Sequence, residues 1–403
     1  MYHYQVGGRA AVSLSPMPLP KATETGAPEL FLFSRDPGCC PAVFRPADSR
    51  QLTAEAVDVR WLDPARLGDL PQLPETILSA ANVRHPRWQD ALRFPAPKPG
   101  KKRVHLLAAG DVGSTLLTAL KLLGSDCIST LGVCDLNEAT VQRWCTELGQ
   151  IAWPWDYDAL PEVEAVSADS LFDCDVFIFA ATKAIPPVGS EIRDVRMAQF
   201  AANRPLVEHF ARQARSARFK GLFMVLSDPV DPLCKAAWLA SNTAEDGKLD
   251  HLGLLPEQVQ GFGLGVMNAR AAYYAKQDPR FASFLTEGRA FGPHGRGLVI
   301  ANSITHYDDA LSRELTEAVE TANLRIRELG FKPYVAPAVS SGAMQLLLTL
   351  RGQWHCSSLC LGGVWFGTRN RFTPNGVEVE TLSLPDTLFA RLQETEAALK
   401  TIL

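Results

Sequence analysis

The chain has 403 residues, of which 46% are hydrophobic and 21% charged, and its net charge is −4 at pH 7. This length allows two or three domains with full-sized cores, the scattered basic residues argue against a nucleic-acid surface, and no apolar stretch approaches the roughly 20 residues of a membrane span. The N-terminus lacks the basic start and apolar core of a signal peptide and the nine cysteines form no regular framework, so we expect a cytoplasmic protein without a nucleic-acid or membrane partner.

The first 95 residues contain short strand-like runs separated by many prolines, namely Leu30–Phe33, Ala42–Phe44 and Val57–Leu62. We predict a small N-terminal appendage here, α/β or mostly β, and no motif in it carries chemistry. A proline-rich, basic segment from Phe94 to Lys102 follows and has the composition of a linker.

The stretch from Arg103 to Asp135 is the most informative part of the chain. An apolar run, Val104 to Ala109, is followed by a glycine turn, by apolar residues at helical spacing from Ser114 to Leu123, and by a second apolar run that ends at Asp135. Strand, glycine turn, helix, strand and acid is the order of a dinucleotide-binding βαβ unit. The turn reads A-x-G-x-x-G, because Ala108 stands where the first glycine is usual.

The chemical groups in this predicted βαβ unit suit a dinucleotide. Glycines let the backbone approach a pyrophosphate, and the helix N-terminus offers N–H groups and a positive dipole end. A carboxylate at Asp135, about 20 residues after the last glycine, can accept both ribose hydroxyls, which favours NAD over NADP. The alternative is a glycine turn in an α/β protein that binds no nucleotide. The predicted NAD-binding residues are Ala108, Gly110, Asp111, Val112, Gly113, Asp135, Ala181 and Ser227.

The α/β alternation continues after Asp135. The predicted elements are a helix over Asn137–Leu148, a strand over Asp175–Ala180, a lid-like loop from Thr182 to Asp194, a helix over Arg196–Arg215 and a strand over Gly221–Ser227. Further on we predict a largely helical stretch, Pro256–Phe281, and two amphipathic helices, Asp308–Leu329 and Pro385–Leu403, mixed with strands. The fold class is therefore α/β, with a Rossmann-type doubly wound parallel sheet at 96–250, a mixed α/β substrate domain at 251–403 and the N-terminal appendage at 1–95.

Several segments between residues 96 and 403 have the order and spacing of motifs in a known family. They are Ala108-x-Gly110-x-x-Gly113, Asp135, Arg196 with Asn203, Ser227-Asp228-Pro229-Val230-Asp231, Met267-Asn268-Ala269-Arg270 and Gly292-Pro293-His294-Gly295. Together they resemble the NAD-dependent lactate/malate dehydrogenase family over roughly residues 100 to 403, and the first 95 residues lie outside the resemblance.

The resemblance implies a catalytic set. Arg270 would hold a substrate carboxylate with its planar guanidinium, and His294 would exchange a proton with the substrate oxygen. Arg196, on the closing loop, would stabilise charge on that oxygen, with Arg193 as the alternative. Lys183 would favour a second carboxylate on the substrate, whereas Ile185 would favour an apolar tail. The family also implies a homodimer or homotetramer.

The departures from the family pattern are equally specific. The aspartate that orients the histidine falls at Met267, the asparagine before proline falls at Asp228, and the glutamate before the histidine is Pro293. Our hypothesis is that Asp228 is a relocated carboxylate that interacts with His294 or Arg196; the alternative is that it only caps the turn before Pro229. Three interpretations follow. The chain is an active dehydrogenase of an unusual substrate, an active 2-hydroxy-acid dehydrogenase with a rearranged carboxylate, or a catalytically weak relative that binds NAD(H) and serves as a sensor or scaffold.

A metal site is not expected. His355, Cys356 and Cys360 are close in sequence but lack a fourth ligand, so a buried apolar patch is the better interpretation. The adjacent Cys39 and Cys40 are interpreted as unpaired small residues in a loop.

Overall fold

The computed structural model describes residues 1–23, 26–93, 100–183, 195–331 and 336–403. Within these ranges, 14 strands form one continuous sheet and two further strands form a separate ribbon. One long sheet therefore connects the N-terminal, central and C-terminal parts of the chain.

The N-terminal region contributes short strands and two short helices. They are β1 (Tyr2–Val6), β2 (Arg9–Ser13), β3 (Leu30–Phe33), β4 (Val43–Phe44), α1 (Arg50–Thr53), β5 (Ser79–Asn82) and α2 (Trp88–Ala91). The predicted strands at Leu30–Phe33 and around Val43 are confirmed. The predicted strand at Val57–Leu62 is wrong: Val59–Leu62 forms a 3₁₀ turn because the Asp58 carboxylate caps it by accepting from the Arg60 N–H.

The central part has the predicted alternation of strands and helices. Its elements are β6 (Lys102–Leu107), α3 (Asp111–Leu123), β7 (Ile128–Cys134), α4 (Glu138–Gly149), β8 (Glu162–Ala165), β9 (Val176–Phe179), α5 (Val195–Ser216), β10 (Leu222–Val225), α6 (Val230–Asn242) and β11 (Val259–Gly261). The six strands are parallel and lie in the order β8-β7-β6-β9-β10-β11. This is the strand order of a doubly wound nucleotide-binding sheet, so the predicted Rossmann-type architecture is confirmed.

Both faces of this parallel sheet are covered, as parallel sheets require. Along β9, Val176 and Ile178 belong to one core together with Leu116 and Leu120 of α3. The alternate residues Phe177 and Phe179 belong to a second core that includes residues of α5 and α6. Because helices lie on opposite faces on either side of the β6–β9 boundary, this boundary is the topological switch point, and sheets of this kind bind ligands at the carboxyl ends of the strands there.

The C-terminal part is a mixture of helices and antiparallel strands. Its elements are α7 (Leu264–Gln277), α8 (Phe284–Glu287), β12 (Arg289–Phe291), β13 (Val299–Ala301), α9 (Asp309–Glu320), α10 (Ala322–Glu328), α11 (Ser340–Leu350), β14 (His355–Leu361), β15 (Val364–Thr373), β16 (Gly376–Val379) and α12 (Asp386–Lys400). The predicted helix at Pro385–Leu403 is confirmed as α12. The helical prediction for Pro256–Phe281 is wrong at its start, because Val259–Gly261 pairs with β10 as the sixth parallel strand. The helix predicted at Asp308–Leu329 is divided between α9 and α10.

The N-terminal region extends the sheet. Val377 of β16 pairs with Phe44 of β4, and the order β1-β2-β3-β5-β4-β16-β15-β14 leads to the parallel strands. The buried Glu257 carboxylate accepts from the N–H groups of Ala42 at 3.0 Å and Val43 at 3.1 Å. Burial raises the pKa of Glu257 to about 7. The division into units at residues 95 and 250 stays a prediction.

In the described part of the chain, none of the helices has the length and apolar character needed to cross a bilayer.

Candidate active site

The glycine turn lies at the carboxyl end of β6. Gly110 is the N-cap of α3, so Asp111, Val112 and Gly113 form the first helical turn. A Cβ on Gly113 would lie 2.1 Å from the carbonyl oxygen of Ala108, so only glycine permits this close packing of helix on strand. Ala108 has φ +74°, a left-handed conformation that costs a non-glycine residue roughly 1–2 kcal/mol.

Asp135 is tied to the turn. Its Oδ2 accepts from the Ala109 N–H at 2.9 Å, and its Oδ1 accepts from the Asn137 N–H at 3.0 Å. Trp144 of α4 supports the same segment by donating from Nε1 to the Ala109 carbonyl at 3.1 Å. A carboxylate has about four acceptor positions, so each oxygen of Asp135 retains capacity for a hydroxyl donor beside the turn.

The residues present fit a dinucleotide. The first turn of a helix leaves N–H groups without intrahelical acceptors, and α3 directs these groups from a glycine-lined turn. At the neighbouring strand ends, Ala181 is buried after β9, and Ser227 is buried after β10. Within the described residues the Ser227 hydroxyl has no hydrogen-bond partner, which leaves a polar atom at this edge of the sheet for a ligand.

His294 lies in the loop between β12 and β13, near Asp228, Asp231 and Gly263. Its backbone N–H donates to Oδ2 of Asp231 at 2.8 Å, and its Nδ1 donates to the carbonyl oxygen of Gly263 at 2.9 Å. Its Nε2 lies 3.8 Å from Oδ1 of Asp228. Since a carbonyl oxygen only accepts, the ring carries a proton on Nδ1, and Nε2 is the nitrogen available for proton exchange.

Gly263 is a site residue that the sequence did not reveal. A Cβ at this position would lie 2.4 Å from the Cβ of His294, so any larger residue would displace the imidazole. No motif in the sequence signals this constraint, because it arises from contact between the start of α7 and a loop 31 residues later.

Asp231 is the second residue that sequence reasoning left without a role, although it belongs to the Ser227–Asp231 motif. It is buried, and the Ser358 hydroxyl of β14 donates to its Oδ1. Burial raises the pKa of Asp231 to about 6. Its carboxylate therefore links the loop of His294 to the sheet.

Met267 and Arg270 lie on α7. Met267 is buried in an apolar cluster. Nη1 of Arg270, which is half-buried, lies 3.8 Å from the Met267 sulfur. Gly263, Met267 and Arg270 follow i, i+4, i+7 spacing and therefore share one helix face. Arg270 lies about 10 Å along the helix axis from Gly263, whose carbonyl orients His294.

Asn203 joins two strand ends. Its buried side chain donates from Nδ2 to the Asp228 carbonyl at 2.8 Å, and its Oδ1 accepts from the Lys183 N–H at 2.8 Å. Asp228 itself has an exposed carboxylate, and the Lys183 side chain is exposed. Arg196 lies in the first turn of α5, and its side chain, like Arg193 and Ile185, falls outside the described residues.

The His355 segment is a structural feature. His355 is buried and stacks on Phe262, and burial lowers its pKa to about 4. Burial also raises the pKa of Cys356 to about 11. Across the described ranges, no group of three or more His, Cys, Asp or Glu side chains is arranged to hold a metal ion.

No protein-family model matches the chain. The L-lactate dehydrogenase of Corynebacterium jeikeium (strain K411) is 25% identical over 244 residues, which cover 59% of this chain and 68% of that protein. Alignments with other curated L-lactate dehydrogenases span 53% to 55% of the relatives' length.

Solved structures with a similar fold include lactate and malate dehydrogenases. The minor L-lactate dehydrogenase from Enterococcus mundtii, in a ligand-bound form, has a TM-score of 0.58 at 19% identity and covers 75% of this chain and 99% of its own. The malate dehydrogenase from Archaeoglobus fulgidus, in complex with NADH, has a TM-score of 0.58 at 16% identity and covers 74% of this chain and 97% of its own. The predicted resemblance is thus confirmed: the chain is similar to lactate and malate dehydrogenases at low sequence identity.

Proposed function

We propose that the protein is an NAD-dependent oxidoreductase that transfers hydride between the nicotinamide and a small 2-hydroxy or 2-oxo acid. The observation that carries the proposal is the position of His294. Its Nε2 lies 3.8 Å from Asp228 at the carboxyl end of β10, on the same edge of the sheet as the glycine turn. An imidazole on the same edge of the sheet as the glycine turn can exchange the proton that accompanies hydride transfer.

The cofactor residues are Ala108, Gly110, Asp111, Val112, Gly113, Asp135, Ala181 and Ser227. In this proposal the start of α3 binds the pyrophosphate, and Asp135 accepts the ribose hydroxyls. When bound, the nicotinamide supplies or accepts the hydride. The fixed Asp135 carboxylate would repel a 2′-phosphate, which supports NAD(H) over NADP(H).

His294 moves the proton. With Nδ1 committed to the Gly263 carbonyl, Nε2 gives a proton to the substrate oxygen during reduction and takes it back during oxidation. Asp228 stabilises the protonated imidazole from the Nε2 side, a role that the buried Met267 cannot perform. The substrate oxygen must then approach Nε2 next to a carboxylate, which favours a substrate other than plain lactate or malate.

In this proposal two arginines act on the substrate. Arg270 binds its carboxylate in a bidentate manner, and Arg196, from the start of α5, stabilises charge on its oxygen. Asn203 sets the geometry, because it fixes the strand end that carries Asp228 to the one that carries Ala181.

Met267 favours a second candidate, a nucleotide-binding relative with little or no catalysis. A thioether in an apolar cluster occupies the position from which the family's aspartate orients the histidine. In this alternative the chain binds NAD(H) and acts as a sensor or scaffold.

Two measurements distinguish the candidates. The first follows NADH absorbance with a panel of 2-oxo acids that includes apolar, polar and dicarboxylic side chains. The second titrates NADH fluorescence with protein. Turnover with saturable NADH binding supports the enzyme, binding without turnover supports the alternative, and absence of binding contradicts both.

We also propose a homodimer or homotetramer in the cytoplasm, with a small carboxylate substrate as its partner. All nine cysteines are free thiols, which fits a reducing compartment. Light scattering of the purified chain tests the oligomeric state.

A further inference from the structure

A cavity of about 580 Å³ opens at the edge of the sheet opposite the candidate active site. Lys102, Val176 and Leu222, at the amino ends of β6, β9 and β10, lie in its wall. The N-terminal region closes another side through Arg87 and Arg93. The region outside the family resemblance thus helps to build a concave surface remote from the proposed chemistry.

The rim of the cavity is cationic. Arg93, Arg218 and Lys220 are exposed, and none of them has an ion-pair partner among the described residues. The lining also carries three acids, Asp90, Asp173 and Asp175, and Asp90 pairs with Arg87 at 3.4 Å. Five cations line the same cavity, so its net charge is positive; they are Arg87, Arg93, Lys102, Arg218 and Lys220. An adjoining cavity of about 330 Å³ is also lined by Arg218 and Lys220, which therefore lie between two concave surfaces.

Arg218 occupies an unfavourable backbone conformation. The Phe219 N–H bonds to the Ala214 carbonyl and the Arg218 N–H to the Arg215 carbonyl, which is the Schellman pattern at the end of α5. Arg218 takes the left-handed position of this motif, with φ +50°, where glycine is usual. Arg218 thus places its guanidinium at the cavity rim from a backbone conformation that glycine would adopt at lower cost.

The floor is apolar and partly aromatic. Phe172 and Phe219 lie with ring centroids 5.3 Å apart, and Val176 and Leu222 of the sheet continue the surface. An apolar floor beneath a cationic rim matches a molecule with a ring and an anionic group.

We propose that this cavity is a binding site for a small organic anion, with its phosphate or carboxylate on Arg218 and Lys220 and its ring on Phe172 and Phe219. Arg93 completes the cationic rim from the N-terminal region. The site does not depend on the proposed oxidoreductase function, because it shares no residue with the candidate active site.

Isothermal calorimetry with phenyl phosphate as the probe tests the proposal. Inorganic phosphate carries the charge without the ring, and benzyl alcohol carries the ring without the charge. Phenyl phosphate should bind more tightly than inorganic phosphate, and benzyl alcohol should show no saturable binding. Equal affinity for both phosphates would remove the aromatic floor from the site, and absence of phenyl phosphate binding would overturn the proposal.

The variant Arg218→Gly removes the cation while placing the favoured residue at the helix end, so its thermal stability should be kept or raised. We expect it to weaken phenyl phosphate binding about tenfold or more, since a charged hydrogen-bond partner is lost. Arg212→Ala, on the exposed side of α5, is the matched control and should bind like wild type. Unchanged binding by Arg218→Gly contradicts the assignment, whereas NADH titration of the same variant reports separately on the other site.

Discussion

The backbone carbonyl of Gly263 accepts a hydrogen bond from Nδ1 of His294 at 2.9 Å. The main chain at the N-cap of α7 thus orients the imidazole ring, and Oδ2 of Asp231 accepts from the backbone N–H of His294. Asp228 lies on the other side of the ring, near Nε2. This arrangement determines what several substitutions should do.

Gly263→Ala should displace the imidazole, because the added Cβ would lie 2.4 Å from the Cβ of His294. A misplacement of about 1 Å can cost on the order of 100-fold in rate, so we expect a loss of that size in kcat with little change in NADH affinity. Gly149→Ala is the control, since nothing lies within 4 Å of a Cβ at that exposed helical position. A Gly263→Ala enzyme as active as the control would show that the Gly263 carbonyl does not position His294.

Asp228→Asn should lower turnover sharply if Asp228 stabilises the charged imidazole. Loss of the corresponding carboxylate in a serine-protease triad costs about 10⁴ in rate, which is the upper scale of the effect. NADH binding should be retained, because Asp228 is not among the cofactor residues. Turnover equal to wild type would mean that Asp228 only caps the turn before Pro229.

Met267→Asp should not raise activity by itself, because Nδ1 of His294 already has the Gly263 carbonyl as its acceptor. Thermal unfolding is measured first, since the new carboxylate enters an apolar cluster. If Met267→Asp combined with Asp228→Asn creates strong lactate or malate dehydrogenase activity in an otherwise inert chain, the natural protein is the nucleotide-binding relative.

Arg270→Lys should lose most activity on carboxylate substrates although it keeps the charge, because an ammonium cannot form the bidentate pair. The loss of activity should appear mainly as a higher KM for the oxo acid. The affinity for NADH, measured by fluorescence titration, should hardly change. Activity near the wild-type level would remove Arg270 from the substrate site.

NADH should bind at least tenfold more tightly than NADPH, because the Asp135 carboxylate repels the 2′-phosphate of NADPH. The N–H groups of Ala109 and Asn137 hold this carboxylate in place. Asp135→Asn keeps an acceptor for the turn and removes the charge, so it should narrow this ratio. Fluorescence titration with both cofactors measures it, and equal affinities in wild type contradict the role of Asp135.

Glu257→Gln should change the pH dependence of stability. Burial raises the pKa of Glu257 from 4.5 to about 7, so the folded state binds the carboxyl proton more tightly than the unfolded chain does. The stability that this proton contributes is therefore lost as the pH rises from 4.5 to about 7. The loss is about 3 kcal/mol across the window. Chemical unfolding between pH 5 and 8 should show a shallower decline for Glu257→Gln than for wild type, and exposed Glu55→Gln should follow wild type. Parallel curves for all three proteins would contradict the prediction.

The local sequence pattern was sufficient to predict most strands and helices of the central part of the chain, from β6 to β10. The glycine turn with Asp135 and the alternation of apolar runs predicted β6, α3, β7, β9 and β10, because strand and helix periods and the steric needs of a tight turn are properties of adjacent residues. The same reasoning failed at Val57–Leu62 and Val259–Gly261. In the first, the Asp58 carboxylate capped a turn; in the second, a short apolar run acquired its strand conformation by pairing with β10.

The sequence by itself determined the kinds of chemical group available: a glycine-lined helix start, an acid after the second strand, a histidine, and arginines in the family's order. Only the tertiary structure decided how His294 is held and how the N-terminal strands join the sheet. Gly263 lies 31 residues from His294, and Phe44 pairs with Val377 across nearly the whole chain. Such contacts depend on which surfaces the packed core brings together, and no periodicity along the chain encodes that choice.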